Sequence, residues 1–589
     1  MFSSLLIANR GEIAVRIVRT CRRLGIRSIA VFSDADADAL YVRLADTAVR
    51  IGPAAPAESY LSIDAILSAA RESAAEAIHP GYGFLSENAD FARAVREAGL
   101  ILVGPSPETM DRLGDKSAAR TEALASGLAL IPGSPGAVSP DEAARLAPDL
   151  GFPLAVKASF GGGGRGIRIA HTPDDLAPAI SSATNEATLA FGSGAVYLER
   201  YLPHVRHVEV QVLADTQGTV LTLGDRDCTV QRRSQKLIEE APAPDLPSDI
   251  RKAMTQGAAE MTRRLGYHGA ATFEFLYDPT AQAAYFLEIN TRLQVEHCVT
   301  EMICGLDLVE LQLIVASGAP LPITQDDVAL QGHAIEARIV AEDPRQGFRP
   351  VPGPVTRLHL PSGPFVRTDF GVAQGDTIPT HYDSLLGKII VWGPDRQSAT
   401  TRLRAALDEF VLDGVPTTAP ALGLCLSIPA FQDMAHGTTS LDTEWRDLFT
   451  DLPEFDPQLA PGATPPVERW VSIATDRGMI DLVLPLRGTA ASTSKTAGPR
   501  RQADETGPQP TADLTTAPMD GTVTGLFVEE GEILEDGALI AVLEAMKMEI
   551  PLRANGAGRV DRIRVSKGEA ITAGTRLFDI SRIDGEMEM

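Results

Sequence analysis

An α/β body followed by a small all-β unit is the fold class that the sequence predicts, and three observations predict it. Strand-like apolar runs alternate with helix-spaced runs from the start of the chain. Residues 521–543 repeat over 558–580 with glycines at matching places. Between 488 and 513 there is no Val, Ile, Leu, Met, Phe, Trp or Tyr. The first pattern marks βαβ units and a parallel sheet. The second marks a repeat too small to bury a sheet face in one copy, so that two copies pack into one β-sandwich. The third marks a linker that cannot bury enough apolar surface to offset its ordering entropy, with a reach of roughly 28 Å r.m.s..

The chain has 589 residues, 44% hydrophobic and 22% charged, with a net charge of −25. At ~150 residues per domain, about four domains are expected, with an ordinary globular balance. The acidic excess argues against nucleic-acid partners. No apolar run approaches the ~18 residues of a membrane-spanning helix, and the apolar stretch at the N-terminus is too short for a signal peptide. Cys21, Cys228, Cys298, Cys304 and Cys425 form no CxxC pair, which fits reduced thiols and a cytoplasmic location.

Taken in order, residues 5–8 are apolar, 9–11 form a turn, 13–24 have helical spacing and 29–32 form the next strand. This first turn lacks GxGxxG and suggests no dinucleotide site. Residues 161–166 read Gly-Gly-Gly-Gly-Arg-Gly and satisfy that pattern, but 153–159 and 167–170 both read as strands. The glycines therefore cap a β-hairpin whose N–H groups can approach phosphates. Lys157 alternates away from Leu154 and Val156 and can point to the same cleft; a plain surface hairpin is the alternative. Walker A is absent, which excludes P-loop enzymes.

Residues 272–277 and 284–290 are alternating strands about a turn centred near 281. That spacing sets Glu274 opposite Glu288, with Asn290 two residues on along the same face. Opposed like charges are destabilising, and two carboxylates with an amide oxygen suit Mg²⁺. A slipped register or a solvated face would leave them unrelated. Arg292, Gln294 and Glu296 then alternate, so an extended strand would point all three one way, toward a small oxyanion and its proton. The C-terminal repeat aligns Gly521 with Gly558, Gly531 with Gly568 and Gly537 with Gly574. Its joint, Glu544-Ala-Met-Lys-Met-Glu549, is expected at an exposed hairpin with Lys547 near the tip. Two methionines flanking an exposed lysine point to recognition; a solvated turn lysine is the alternative.

This unit resembles the biotinyl/lipoyl carrier fold, and Ala545-Met546-Lys547-Met548 is similar to the biotin-attachment signature, not to the Asp-Lys-Ala of lipoyl carriers. The resemblance implies biotin on Lys547. Residues 1–445 resemble the ATP-grasp body of biotin carboxylase through residues 7–12, 79–88, 114–116, 206–209, 231–233, 239–244, 288–297 and 332–338. It implies a Rossmann-like N-terminal domain over 1–115, an ATP-grasp domain over 116–330 and a C-terminal carboxylase domain over 331–445. Residues 446–487, with a few strands expected in 471–486, match neither resemblance; composition sets the linker over 488–514, and the carrier covers 515–583.

The same resemblance implies roles. Lys116, Lys157, the Gly163 and Gly164 backbone, Glu199, Arg200, Tyr201, Leu202 and His207 would bind ATP. Glu274, Glu288 and Asn290 would hold Mg²⁺ or Mn²⁺. Lys236, Arg292 and the Val295 backbone would bind bicarbonate, with Gln294 nearby. Glu296 would be the base, Arg338 would hold carboxyphosphate and the biotin enolate, and Tyr82 would lie beside the biotin ring. Two departures stand out: Phe160 replaces a loop glycine, and Ser234 stands where many members have a histidine on the nucleotide. With its carrier, the chain resembles the alpha subunit of a bacterial acyl-CoA carboxylase of the acetyl- or propionyl-CoA type. That implies transfer of carboxybiotin to a separate carboxyltransferase (beta) subunit, modification by a biotin protein ligase and an oligomeric complex. An ATP-grasp peptide or amine ligase, or a biotinylated scaffold with an inactive body, are the rival readings.

Overall fold

The first apolar runs form a parallel five-stranded sheet. Ser4–Ile7 lies at its centre, between Arg27–Ser33 and Ala77–His79, with Thr47–Gly52 and Ile101–Leu102 at the edges. Leu5, Leu6 and Ile7 pair in parallel with both neighbours. The helix Gly11–Leu24 buries Ile13, Val15, Ile17 and Val18 against the same core. It stops at Gly25, whose left-handed φ of 70° lets the chain turn back without a Cβ clash. In the turn before this helix, Asn9 donates its amide to the carbonyls of Pro80 (2.7 Å) and Tyr82 (2.8 Å), which fixes the loop that carries Tyr82 and Glu87.

The computed structural model describes residues 1–134, 136–158, 167–191, 194–455, 468–475, 478–485, 516–517, 521–545, 548–554, 556–572 and 574–582. The chain divides into two units: Met1–Pro379 with Ser384–Pro453, and Thr380–Asp383 with Glu454–Met589. Among the described residues no helix is long and apolar enough to cross a membrane.

The larger unit is organised by an antiparallel eight-stranded sheet. Its order is Ala283–Asn290, Gly269–Asp278, Arg206–Ala214, Val220–Arg232, Gln235–Ala241, His333–Val340, Leu385–Gly393 and Val366–Phe370. Period-two alternation sorts its faces. Val208, Val210, Val212, Phe273, Phe275 and Phe286 join one apolar core. Glu209, Gln211, Thr272 and Glu274 alternate with them, and they too are buried. A charged face that is also buried requires internal partners, and those partners make the site. Leu154–Ala158 pairs antiparallel with Ile167–Ala170 and Val196–Arg200, as the glycine-hairpin reading expects; the Gly161–Gly166 tip lies outside the described residues.

In the smaller unit the repeat is visible strand by strand. Gly521–Leu526 and Ile533–Leu534 recur as Gly558–Ile563 and Ala570–Ile571, in a four-stranded and a three-stranded sheet. Matched glycines share conformations: Gly531 and Gly568 have φ of 92° and 89°, and Gly537 and Gly574 both have 80°. Val523, Leu543, Val560 and Phe578 close the core. The strands expected within 471–486 are one antiparallel hairpin, Glu468–Thr475 with Gly478–Pro485. The 488–513 stretch lies outside the described residues.

Candidate active site

The site begins where the hairpin arithmetic puts it. Glu274 pairs with Glu288 and Thr272 with Asn290, but the next pair is Phe275 with Phe286, so Leu287 is an extra residue at a bulge. The bulge leaves the two acids opposed on the sheet side. Glu274 also faces Glu209 on the next strand, and Glu209 faces Arg226 beyond it. Three carboxylates in a row across a sheet repel one another unless cations intervene.

Lys236 is the main one. Its ammonium contacts Glu209 and lies 3.1 Å from Glu274, 3.1 Å from the Gln294 oxygen and 2.6 Å from Glu296. Arg226, fully buried, binds Glu209, Gln211, Thr272 and Thr300. His207 Nε2 is 3.2 Å from Glu274. Arg338 reaches Glu239 at 2.5 Å and Glu296 at 2.9 Å. Burial works against each charge, and the partners win. Burial pulls the His207 imidazole down, but Glu274 and Glu209 together outweigh it and raise the group to about 9, so it is a cation at neutral pH. Burial pulls Lys236 down as well, and the three glutamates lift it well above its ordinary value. Burial pushes the Glu296 carboxyl up, and Lys236 and Arg338 hold it below the usual carboxylate range. Glu296 is thus an ionised carboxylate between two cations, able to accept a proton.

One expectation fails. Residues 292–296 are not an extended strand: the strand ends at Asn290 and a helix, His297–Cys304, starts with Glu296 as its N-cap. Two contacts turn the chain. Lys388 donates to the Val295 carbonyl at 2.7 Å, and His297 Nδ1 lies 2.7 Å from the Gln294 carbonyl. Gln294 and Glu296 still converge on Lys236, whereas Arg292 turns to Glu87 (3.0 Å) and the Asn290 oxygen (3.0 Å).

Among the residues assigned to ATP, Lys157 lies 2.5 Å from Glu199, which Arg120 also holds at 2.5 Å. The Arg200 and Tyr201 N–H groups donate to Pro132 and Pro153, and Leu202 is half-buried. Tyr82 packs on the N-terminal core. Arg233 and Ser234 have φ of 47° and 65° in a two-residue turn. The Lys116 side chain, Phe160, Gly163, Gly164 and Lys547 lie outside the described residues. The oxygens of Glu274, Glu288 and Asn290 suit a divalent cation completed by water and phosphates. If they hold it, Glu288→Gln will raise the Mg²⁺ concentration needed for half-maximal ATP hydrolysis by about tenfold or more; an unchanged Mg²⁺ titration would remove Glu288 from the metal.

Sequence reasoning gave no role to Glu209, Arg226, Glu239, Lys388 or Glu87. For Glu209, Glu239 and Lys388, a charge among apolar strand residues was the available signal: Lys388 stands with Leu386, Ile389 and Ile390, and is fully buried with Glu12 at 3.3 Å.

Four family models match the chain: Biotin carboxylase, N-terminal domain over 1–110; Carbamoyl-phosphate synthase L chain, ATP binding domain over 115–324; Biotin carboxylase C-terminal domain over 336–443; and Biotin-requiring enzyme over 514–580. The chain is 44% identical to the biotin-dependent acyl-coenzyme A carboxylase alpha3 subunit of Mycobacterium leprae, over 98% of each. It is 49% identical to biotin carboxylase 1 of Bacillus subtilis, over 75% of this chain and 99% of that one. The chain belongs to the biotin carboxylase family. Among solved structures, this biotin carboxylase is similar to that of Campylobacter jejuni in a beta-gamma-ATP complex (44% identity, TM-score 0.72, 75% of this chain and 99% of that one). It is also similar to the biotin carboxylase domain of the Hydrogenobacter thermophilus 2-oxoglutarate carboxylase, crystallised with MgADP and bicarbonate (42%, TM-score 0.73, 77% and 100%). The enzyme is an ATP-dependent ligase that carries its own biotin-requiring unit.

Proposed function

We propose that this enzyme carboxylates biotin held on its own Lys547, using bicarbonate and MgATP, and passes the carboxyl group to an acyl-CoA on a separate carboxyltransferase subunit. The observation that carries the first half is Glu296, ionised between Lys236 and Arg338. Lys236, Gln294 and Arg292 hold bicarbonate, Glu296 takes its proton, and the resulting anion attacks the γ-phosphorus of ATP, forming carboxyphosphate as the bond to the bridging oxygen breaks and ADP leaves. Lys116, Lys157 and His207 offset the phosphoryl charge. Glu274, Glu288 and Asn290 would hold Mg²⁺, which would neutralise charge at the phosphates. Arg338 turns from Glu239 and Glu296 to the carboxyphosphate and then to the biotin oxygen that gains charge. Glu296→Gln keeps ATP binding and loses bicarbonate-dependent hydrolysis by roughly 10²–10⁴-fold; wild-type hydrolysis in this variant would refute the base assignment.

The second half is supported by the end-to-end match to an acyl-coenzyme A carboxylase alpha subunit and by the alpha subunit of methylcrotonoyl-CoA carboxylase from Glycine max, 46% identical over 76% of this chain. Acetyl-CoA or propionyl-CoA is the acceptor that this reading favours, in a stable complex reached by the tethered carrier and loaded with biotin by a biotin protein ligase. Purified chain with ATP, Mg²⁺ and labelled bicarbonate places label on protein-bound biotin. Adding acetyl- or propionyl-CoA moves none of it until a carboxyltransferase is supplied. Label on the thioester with this chain alone would overturn the two-subunit reading.

A further inference from the structure

Beside the reaction centre, the strands Gln235–Ala241 and His333–Val340 set Glu239 directly opposite Glu336. Both are fully buried, and both lie on the face that carries Arg338, two residues from Glu336. Glu239 Oε1 accepts from Arg338. Glu239 Oε2 and both oxygens of Glu336 meet no hydrogen-bond donor among the described residues. Two opposed buried carboxylates cannot both stay ionised without compensation, and the cations around them are shared with other groups. Lys236 serves Glu209, Glu274 and Glu296. Lys388, opposite Arg338 on the other flank, serves the Val295 carbonyl and Glu12. Arg338 itself is divided between Glu239 and Glu296. The remaining titratable neighbours, Cys228 and Cys298, are buried thiols that offer no positive charge.

We propose that Glu239 and Glu336 form a proton-sharing carboxyl pair that positions Arg338. One proton between them removes a charge and supplies the missing donor, as in other carboxyl dyads. Burial pushes both groups up, Glu239 to about 7 and Glu336 well above the carboxylate range, and the proton belongs to the pair, not to either residue. While it is present, the pair carries a single negative charge and Arg338 can be released to the substrate. When it leaves to solvent, one carboxylic O–H breaks, a second carboxylate forms, and the guanidinium is drawn onto Glu239. Neither glutamate touches substrate; both act through Arg338. The inference rests on the reading of Arg338 as the residue beside biotin.

Infrared difference spectra of the full chain across the neutral pH range test the pair. A protonated-carboxyl C=O band that titrates is expected in wild type. It should be absent from Glu336→Gln and from Glu239→Gln, and retained in Glu12→Gln, which removes a third buried carboxyl. The pH profile of kcat/KM for free biotin tests the link to Arg338. Its fall toward high pH should move by about one unit or more in Glu336→Gln, with KM for ATP unchanged. No wild-type band, or a band that survives both substitutions, would overturn the pair and leave the biotin role of Arg338 standing. A lost band with an unmoved profile would overturn the positioning of Arg338. If Glu336→Gln does not fold, the wild-type band and Glu239→Gln decide. Arg338→Gln with wild-type biotin turnover would instead sink the reading on which the inference rests.

Discussion

Lys547→Arg leaves the chain without biotin, and with it without any carboxylation of its own carrier. The effect is total because it is covalent: an acyl chain joins the lysine amine as a stable amide, and a guanidinium, charged at every accessible pH, does not take its place. The carrier fold directs attention to this lysine. The strands Leu539–Ala545 and Met548–Arg553 pair down to Ala545 with Met548, so only residues 546 and 547 separate these two strands, at the joint between the repeat copies. A two-residue connection closing a hairpin is where a symmetric fold exposes a side chain to a modifying enzyme. Intact mass, measured after co-production with a biotin ligase, should show one biotin on the wild type and none on the variant. Biotin retained by the variant would move the attachment elsewhere. Carboxylation of free biotin should survive, because Glu296, Lys236 and Arg338 lie in the other unit.

Local pattern carried much of this. The parallel opening, the hairpin around the glycines and the Glu274–Glu288 opposition follow from period-two or period-3.6 spacing within short segments, and the internal repeat follows from the match of 521–543 to 558–580. What stayed hidden depended on contacts distant in sequence or on one-residue irregularities. The bulge at Leu287 has no composition signal of its own. The turn at Val295, which sends Arg292 one way and Glu296 the other, depends on Lys388, a residue on a strand at the far side of the sheet. The row of Glu288, Glu274 and Glu209 needs three strands in register, and only the first pair shares a hairpin. Arg226 and Lys236 stand among polar neighbours in the sequence and read there as solvated charges. Their partners came into view only with the sheet order.

Lys236→Met is the body substitution with the largest expected cost. The Lys236 side chain is 11% exposed, and its ammonium is the shared partner of Glu209, Glu274 and Glu296. Methionine keeps the length and strands the carboxylates. Glu209 retains Arg226 and Glu296 retains Arg338, so the loss falls hardest on Glu274, whose remaining partners are His207 and the neutral amides of Asn290 and Gln294. Removing one partner of a buried ionic network costs about 3–5 kcal/mol, and bicarbonate-dependent hydrolysis should fall below detection. The pH dependence gives the cause. Burial pushes the Glu274 and Glu296 carboxyls up, and Lys236 holds both below their ordinary range. Both therefore contribute stability that is present above the unfolded value near ~4 and is lost as pH falls through the folded values. Without Lys236 burial prevails, the carboxyls rise, and the variant's deficit is largest at neutral pH and shrinks as pH falls toward ~4. Denaturant midpoints of wild type and variant at neutral pH and near pH ~5 measure this. A deficit that did not change with pH would mean lost packing in place of lost charge. Lys236→Arg separates the two roles: it should restore the pH dependence of stability while leaving hydrolysis impaired, because a planar guanidinium cannot reproduce the compact ammonium that meets three carboxylates and an amide oxygen at once.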